Sequence, residues 1–299
     1  MENKENDRRK REKILLCCIL KLENHYLEEW VNHYKALGVD KIVIYDNNDT
    51  SGQYLENIRD LSVIREGEGS GFIDIIPVPN QKKVQCECYS QCYYNYCDEY
   101  DWLMFFDVDE YLQLEKFTDI HDYLEQDIFK QYEIIHINWK IYDDNGLLEV
   151  KNDDYSLQSR FTREMAIHCP VKNWLNKEIK SIVRGGILNC SFTTPHTVTS
   201  KKLLCCDAIG RKDSSIAQKS KTVLHKGAWI NHYITKTIQE YISNKMARGG
   251  GFTKSGRYNL GFFFTYNDKT DEKLKIGDKM IPKKEKIKVK PSGLNGLYS

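Results

Sequence analysis

Over the first 112 positions the apolar residues fall in short blocks that alternate between two periods. Ile14-Leu15-Leu16-Cys17-Cys18-Ile19-Leu20 is unbroken and too short for an independent helix, so it reads as a strand buried on both faces. Leu27, Trp30, Val31, Tyr34 and Leu37 then recur at helical spacing, with Asn24 as N-cap and Gly38 as the C′ stop. Lys41 to Tyr45 is a second strand, ending in the polar run Asp46-Asn47-Asn48-Asp49-Thr50-Ser51-Gly52. Strand, helix and strand in this order make a βαβ unit with its polar loops at one edge. Gln53 to Leu61 reads as a second helix, the stretch holding Gly67, Gly69 and Gly71 as a flexible loop, and Phe72 to Ile76 as a third strand. In Gln81 to Tyr100, Val84, Cys88, Cys92 and Tyr96 share one helical face, and this helix leads into the apolar block Trp102 to Phe106. Four strands alternating with three helices predict an open, mostly parallel α/β sheet with helices on both faces.

Beyond Leu112 the rhythm loosens. His121 to Ile128 reads as a helix, Tyr132 to Trp139 as an alternating strand, Lys140 to Asp154 as a polar loop, and Lys180 to Arg184 as a short strand carrying two cations. Thr237-Ile238-Gln239-Glu240 has the capping-box pattern of a helix ending near Arg248, with Gly249-Gly250-Gly251 as its stop. Met1 to Lys13 is polar and reads as a frayed terminus. Lys273 to Lys290 alternates lysine with apolar residues and reads as a solvated tail, with weak contact to an anionic membrane or polymer as the second reading.

Composition narrows the class. The net charge of +1 argues against nucleic-acid binding, which needs a concentrated basic surface. No run reaches the ~18–20 apolar residues that span a bilayer, and the first 13 residues are too charged to open a signal peptide. The expectation is a cytoplasmic protein, peripheral at the inner membrane face if the tail engages lipid. The ten cysteines sit in apolar runs rather than punctuating loops, as reduced structural thiols do. Cys86, Cys88, Cys92 and Cys97 lack the paired spacing of a zinc knuckle.

The candidate chemistry lies where the fourth strand ends, at Asp107-Val108-Asp109-Glu110. Carboxyl ends of strands in an open α/β sheet border the ligand crevice. Two carboxylates spaced by one residue offer hard oxygen ligands for Mn²⁺ or Mg²⁺, although a bare D-x-D more often ends a strand in a solvated turn. Trp139, beside a polar loop, offers either a face for stacking on a sugar ring or half-buried core.

Taken together, the motifs resemble glycosyltransferase family 92, related to the large family 2 superfamily. The resemblance runs from about residue 14 to 268. It rests on Lys21-Leu22-Glu23-Asn24-His25-Tyr26-Leu27-Glu28-Glu29-Trp30, on His33-Tyr34 and Leu37-Gly38-Val39, on Tyr45-Asp46, on Gln85 with Cys92, and above all on Trp102-Leu103 through Phe106-Asp107-Val108-Asp109-Glu110-Tyr111-Leu112. Later pieces are Asn138-Trp139, Lys180 to Arg184, His196, His232-Tyr233, Lys245 with Arg248-Gly249, and Asn267-Asp268. The chain departs from the family pattern in having Ile141-Tyr142-Asp143-Asp144-Asn145-Gly146 after Asn138-Trp139, and Gly185-Gly186 where proline commonly follows the arginine.

The resemblance implies a GT-A fold. Residues 14–112 form the nucleotide-sugar half, 113–268 the acceptor half, and 269–299 a tail outside the domain. It implies an inverting transferase that moves a sugar from a UDP donor, with UDP-galactose foremost, to a cell-surface glycan or glycolipid. Asp107, Asp109 and His232 are the implied metal ligands. Lys21, Glu23, Asp46, Gln85, Asp107, Lys180, Arg184, Lys245 and Arg248 are the donor-side candidates, and Trp139 and Glu110 those on the acceptor side. Direct displacement needs a carboxylate base beside the acceptor hydroxyl, for which Asp144 stands first, then Asp143 and Glu164. One rival is a haloacid dehalogenase-type phosphatase, whose late second carboxylate is missing after Gly277-Asp278. The other is a glycan-binding module that kept the fold without turnover.

Overall fold

A computed structural model describes residues 11–48, 57–165, 174–199, 203–213, 218–248 and 258–267. In chain order the first half comprises β1 (Ile14–Leu20), α1 (Asn24–Ala36), β2 (Lys41–Asp46), α2 (Ser62–Ser70), β3 (Ile73–Pro77), α3 (Gln85–Tyr96) and β4 (Trp102–Phe105). These four strands run parallel in the order β3-β2-β1-β4, as a doubly wound sheet does. Alternation within β1 explains why its apolar run has no gap. Ile14, Leu16, Cys18 and Leu20 pack towards Trp30, Val31 and Tyr34 of α1, whereas Leu15 and Cys17 pack towards Cys88, Tyr89, Cys92 and Tyr93 of α3. The cysteines therefore serve as small core residues, and burial pushes the Cys17 and Cys18 thiols upward.

The second half completes the sheet less regularly. β5 (Glu110–Leu114), α4 (Ile120–Leu124), β6 (Ile134–Ile141), α5 (Leu157–Arg160) and β7 (Ile179–Arg184) come first. Two-residue strands β8 (Ser191–Phe192) and β9 (Val198–Thr199) form a separate hairpin, followed by β10 (Cys205–Asp207), β11 (Lys212–Asp213), β12 (Ala228–His232), α6 (Ile238–Glu240) and α7 (Leu260–Asn267). β7 enters antiparallel between β4 and β6, so the sheet reads β11-β10-β6-β7-β4-β1-β2-β3. β12 lies off this path, antiparallel to β5 and parallel to β6, and its register sets His232 opposite Glu110 and Ile141. That ribbon carries a late residue to the Asp107–Glu110 loop.

Several local expectations are corrected. The glycine-rich stretch is helical: α2 runs through Gly67 and Gly69 and stops at Gly71, whose φ is 76°. A Cβ at Gly67 would lie 2.4 Å from Ile73 Cδ1, so this glycine lets the helix close on β3. Of the helix expected over Gln53 to Leu61, the described part is one 3₁₀ turn at Ile58–Asp60. Glu23, not Asn24, occupies the N-cap of α1. Arg11, Glu12 and Lys13 are anchored to Asp119, Trp102 and Asp101, so fraying is not the state of those three. The capping box forms as expected, with Thr237 and Glu240 bonded reciprocally; after it the chain widens to a π-helix over Tyr241–Met246. The glycine stop after Arg248 and the lysine-rich tail lie outside the described residues.

Gly185 is required by contact: a Cβ there would stand 2.1 Å from the Tyr100 carbonyl oxygen and 2.5 Å from that of Cys97. Gly185→Ala should destabilise the protein by about 2–3 kcal/mol, read from urea unfolding midpoints; an unchanged midpoint would contradict this packing. Buried Glu240 is held by Arg160 at 2.7 and 3.0 Å and by the Thr237 hydroxyl at 2.7 Å, and these bonds pull its carboxyl below the usual range against the opposing effect of burial. A lowered folded pKa means the contribution is full above the ordinary value of 4.5 and drains as pH falls through the folded value. Stability measured from pH 7 to 3 should therefore fall less steeply in Glu240→Gln than in the wild type.

Candidate active site

The Asp107-Val108-Asp109 loop is built from below. The Trp30 indole N–H donates to the Asp107 and Glu110 carbonyls at 3.0 and 3.1 Å, and the Tyr34 hydroxyl donates to the Glu110 carbonyl at 2.9 Å while accepting from Leu112 N at 3.0 Å. The neighbouring Glu29 accepts from Tyr111 and from Leu157 N, tying the same ribbon to α5. The Glu29-Trp30 pair on the first helix is thus the fastening of the acidic loop.

The two carboxylates have unlike environments. Asp107, with its side chain 31% exposed, faces a cavity of about 580 Å³ at the carboxyl ends of β1, β2 and β4. Its Oδ1 accepts from Gln85 at 2.8 Å and from Tyr89 at 2.9 Å, and its Oδ2 stands 3.1 Å from Lys180 Nζ. Asp109 is buried, with Oδ2 at 2.9 Å from Lys236 Nζ and 3.7 Å from Lys245 Nζ, and Oδ1 at 3.4 Å from His232 Nε2. Burial alone would raise both carboxyls, but the lysines outweigh it: Asp107 is lowered and Asp109 lowered well below the ordinary value. Glu110 is wholly buried beneath them, 3.2 Å from Lys180 and accepting from Asp107 N at 2.9 Å. Burial beside two like charges pushes Glu110 upward. Among the described residues it has no exposed surface and does not line the cavity, which corrects its assignment to the acceptor side.

The cavity wall carries polar atoms suited to a ligand. Among the described residues, Asn47 Oδ1, Trp139 Nε1 and His232 Nδ1 on its wall are buried and have no hydrogen-bond partner. Left-handed backbone occurs at the lining residue Lys83 (φ 58°), at Leu22 (φ 58°) between the lining residues Lys21 and Glu23, and at Lys236 (φ 59°), which pairs with Asp109, at a cost of about 1 kcal/mol or more for each such residue. Lys21, Lys82, Lys83, Lys245 and Arg248 give the rim a cationic character. Arg248 is bonded to Glu23 and donates to the Lys21 carbonyl at 2.9 Å, and burial lowers Lys245 to about 8.

Other expected residues lie elsewhere. Arg184 is four residues from Lys180 on β7, level with Trp102 at the opposite end of β4; it stacks on that indole at 4.0 Å and takes no part in the cavity. Asp46 accepts from Asn48 N and Nδ2 and shapes the turn, leaving Asn47 to line the cavity. Asp143 pairs with Arg163 at 2.6 Å, Asp144 accepts from Gly146 N at 2.8 Å, and Glu164 pairs with Lys140 at 2.6 Å. A bridge between Tyr142 and Glu164 folds this segment back on itself, so none of the three carboxylates borders the cavity. Trp139 does border it, with His232 at 4.2 Å and His196 at 5.1 Å between ring centres.

Sequence reasoning passed over Lys236 and Glu178. Lys236 immediately precedes the capping-box threonine; Glu178 is two residues before Lys180, the spacing that shares a strand face.

Among the described residues, no three His, Cys, Asp or Glu side chains form a ready cation cage. The donor set nevertheless suits Mn²⁺ or Mg²⁺, which bind through one or two carboxylates completed by substrate phosphates. Asp107 and Asp109 supply hard oxygens, and burial keeps His232 neutral with one ring nitrogen unpartnered. Lys180→Met should leave Asp107 and buried Glu110 uncompensated and destabilise the fold by about 3–5 kcal/mol in urea titrations. A loss below 1 kcal/mol would show that the lysine is not the keystone of this loop.

A family model described as glycosyltransferase family 92 matches residues 14–288. No curated protein matches the chain. Among solved structures, one described as GalNAc-T7 with UDP, GalNAc and Mn²⁺ is similar at 10% identity and a TM-score of 0.27. The likeness covers 46% of this chain and 24% of that one, so the match spans about a quarter of the neighbour's length.

Proposed function

We propose that this chain, which belongs to glycosyltransferase family 92, is a glycosyltransferase that moves a sugar, galactose foremost, from a UDP donor to a glycan or glycolipid with inversion. The observation that carries this reading is the cavity itself, where two carboxylates, a neutral imidazole and a cationic rim meet at the ends of parallel strands. Asp107, Asp109 and His232 would hold the divalent cation. When bound, that ion supplies charge neutralisation for the departing diphosphate.

The chain's own residues do the remainder. Lys21, Lys83 and Arg248 offer positive charge to phosphate oxygens along the mouth. Asn47 Oδ1 is an acceptor without a partner, suited to a donor group on ribose or base. Trp139 offers a flat wall with an unpaired indole N–H, suited to a sugar ring that stacks and accepts one bond. Lys180 and Gln85 keep Asp107 ionised and aimed at the cavity before any ligand arrives, so little reorganisation is left for the reaction. Contact of the lysine-rich tail with an anionic membrane surface, and a place at the inner face, remain part of this proposal.

Incubation with a panel of UDP-sugars should release UDP, cease with a chelator and resume with Mn²⁺. Asp107→Asn should fold normally and lose about 10²–10³-fold in turnover. Folded wild-type protein that releases nucleotide from no donor would sink the reading.

A further inference from the structure

The three carboxylates expected to deprotonate the acceptor lie outside the cavity lining, yet that lining holds another acid. Glu178 is 5% exposed, lines the cavity and directly precedes β7. Its carbonyl accepts from Trp139 N at 3.0 Å, so it is locked beside the indole through the β6–β7 ladder. Residues two apart in extended chain share a face, about 7 Å apart. Glu178 therefore stands one pleat beyond Lys180, the residue that grips Asp107. Across the wall, Lys219 Nζ lies 3.3 Å from one carboxylate oxygen and His196 Nδ1 3.9 Å from the other. A β-bridge between Glu178 and Lys219 fixes the backbone of both.

Alternative bases near this point are weaker. His196 is lowered to about 3, chiefly by burial, and its Nδ1 is bonded to the Ile179 carbonyl at 2.9 Å. Asp109 is assigned to the divalent cation and so is not the base in this reading.

We propose that Glu178 is the catalytic base of the transfer, positioned by Lys219 and the β6–β7 ladder to take the proton of an acceptor hydroxyl lying over Trp139. In this step the acceptor oxygen forms a bond to the anomeric carbon while its proton passes to the Glu178 carboxylate. The bond from the anomeric carbon to the β-phosphate oxygen breaks, and its electron pair leaves with UDP. The assignment rests on the UDP-sugar reading above.

The test compares wild type, Glu178→Gln and Glu178→Ala, using whichever of UDP-galactose, UDP-glucose and UDP-N-acetylglucosamine the wild type turns over fastest with Mn²⁺. Removing a general base lowers turnover by roughly 10²–10⁴-fold. UDP release should drop by that factor in both variants, while UDP affinity by calorimetry and the melting temperature of Glu178→Gln stay near the wild-type values. Turnover within three-fold of wild type, or a parallel loss of UDP affinity, overturns the assignment while leaving the donor reading intact. Wild-type protein without turnover overturns the donor reading and this assignment together.

Discussion

The structure depends on one buried ammonium. Lys180 has no exposed side-chain surface and stands 3.1 Å from Asp107 and 3.2 Å from Glu110. Unpaired, such a group would be expensive to bury; paired with two carboxylates, it fixes the end of β4 against β7 and settles how the acidic loop turns. One lysine cannot fully offset two carboxylates. Asp107, opening on solvent, stays ionised, whereas sealed Glu110 is driven upward. The same pair of contacts therefore separates a cavity-facing carboxylate from a sealed one.

A second set of contacts brings the late chain to that loop. The β5–β12 ribbon sets His232 opposite Glu110, and Tyr233 N donates to the Asp109 carbonyl at 3.0 Å. Lys236, in left-handed backbone, and Lys245, on the π-helix, then reach Asp109 from the side. Helices widened in this way often occur at functional sites, where the extra residue per turn re-aims a side chain. Asp109 thus joins the two halves of the domain, and its charge is balanced by residues more than a hundred positions away.

The first half was legible because its signals are local. Short apolar blocks, one βαβ unit and a strand ending in acid give parallel strands and a site at their carboxyl ends. The α/β architecture and the family followed from motifs spread along that order. The second half was hidden for a physical reason: antiparallel β7 and off-path β12 are defined by partners distant in sequence. Arg184 and Lys180 lie on one six-residue strand, and only the direction of that strand shows that one faces the site and the other stacks on Trp102. Asp143 and Asp144 looked available because Arg163, which occupies them, is twenty residues on. Gly67 looked like looseness, but the close approach of Ile73 makes it a packing residue.

The cavity is proposed above as a divalent-cation-dependent diphosphate site. Calorimetric titration of UDP into the wild-type protein, with Mn²⁺ and with chelator, tests it most directly. Saturable binding that strengthens markedly with Mn²⁺ is the predicted result. UDP binding that is absent, or indifferent to the metal, would contradict it.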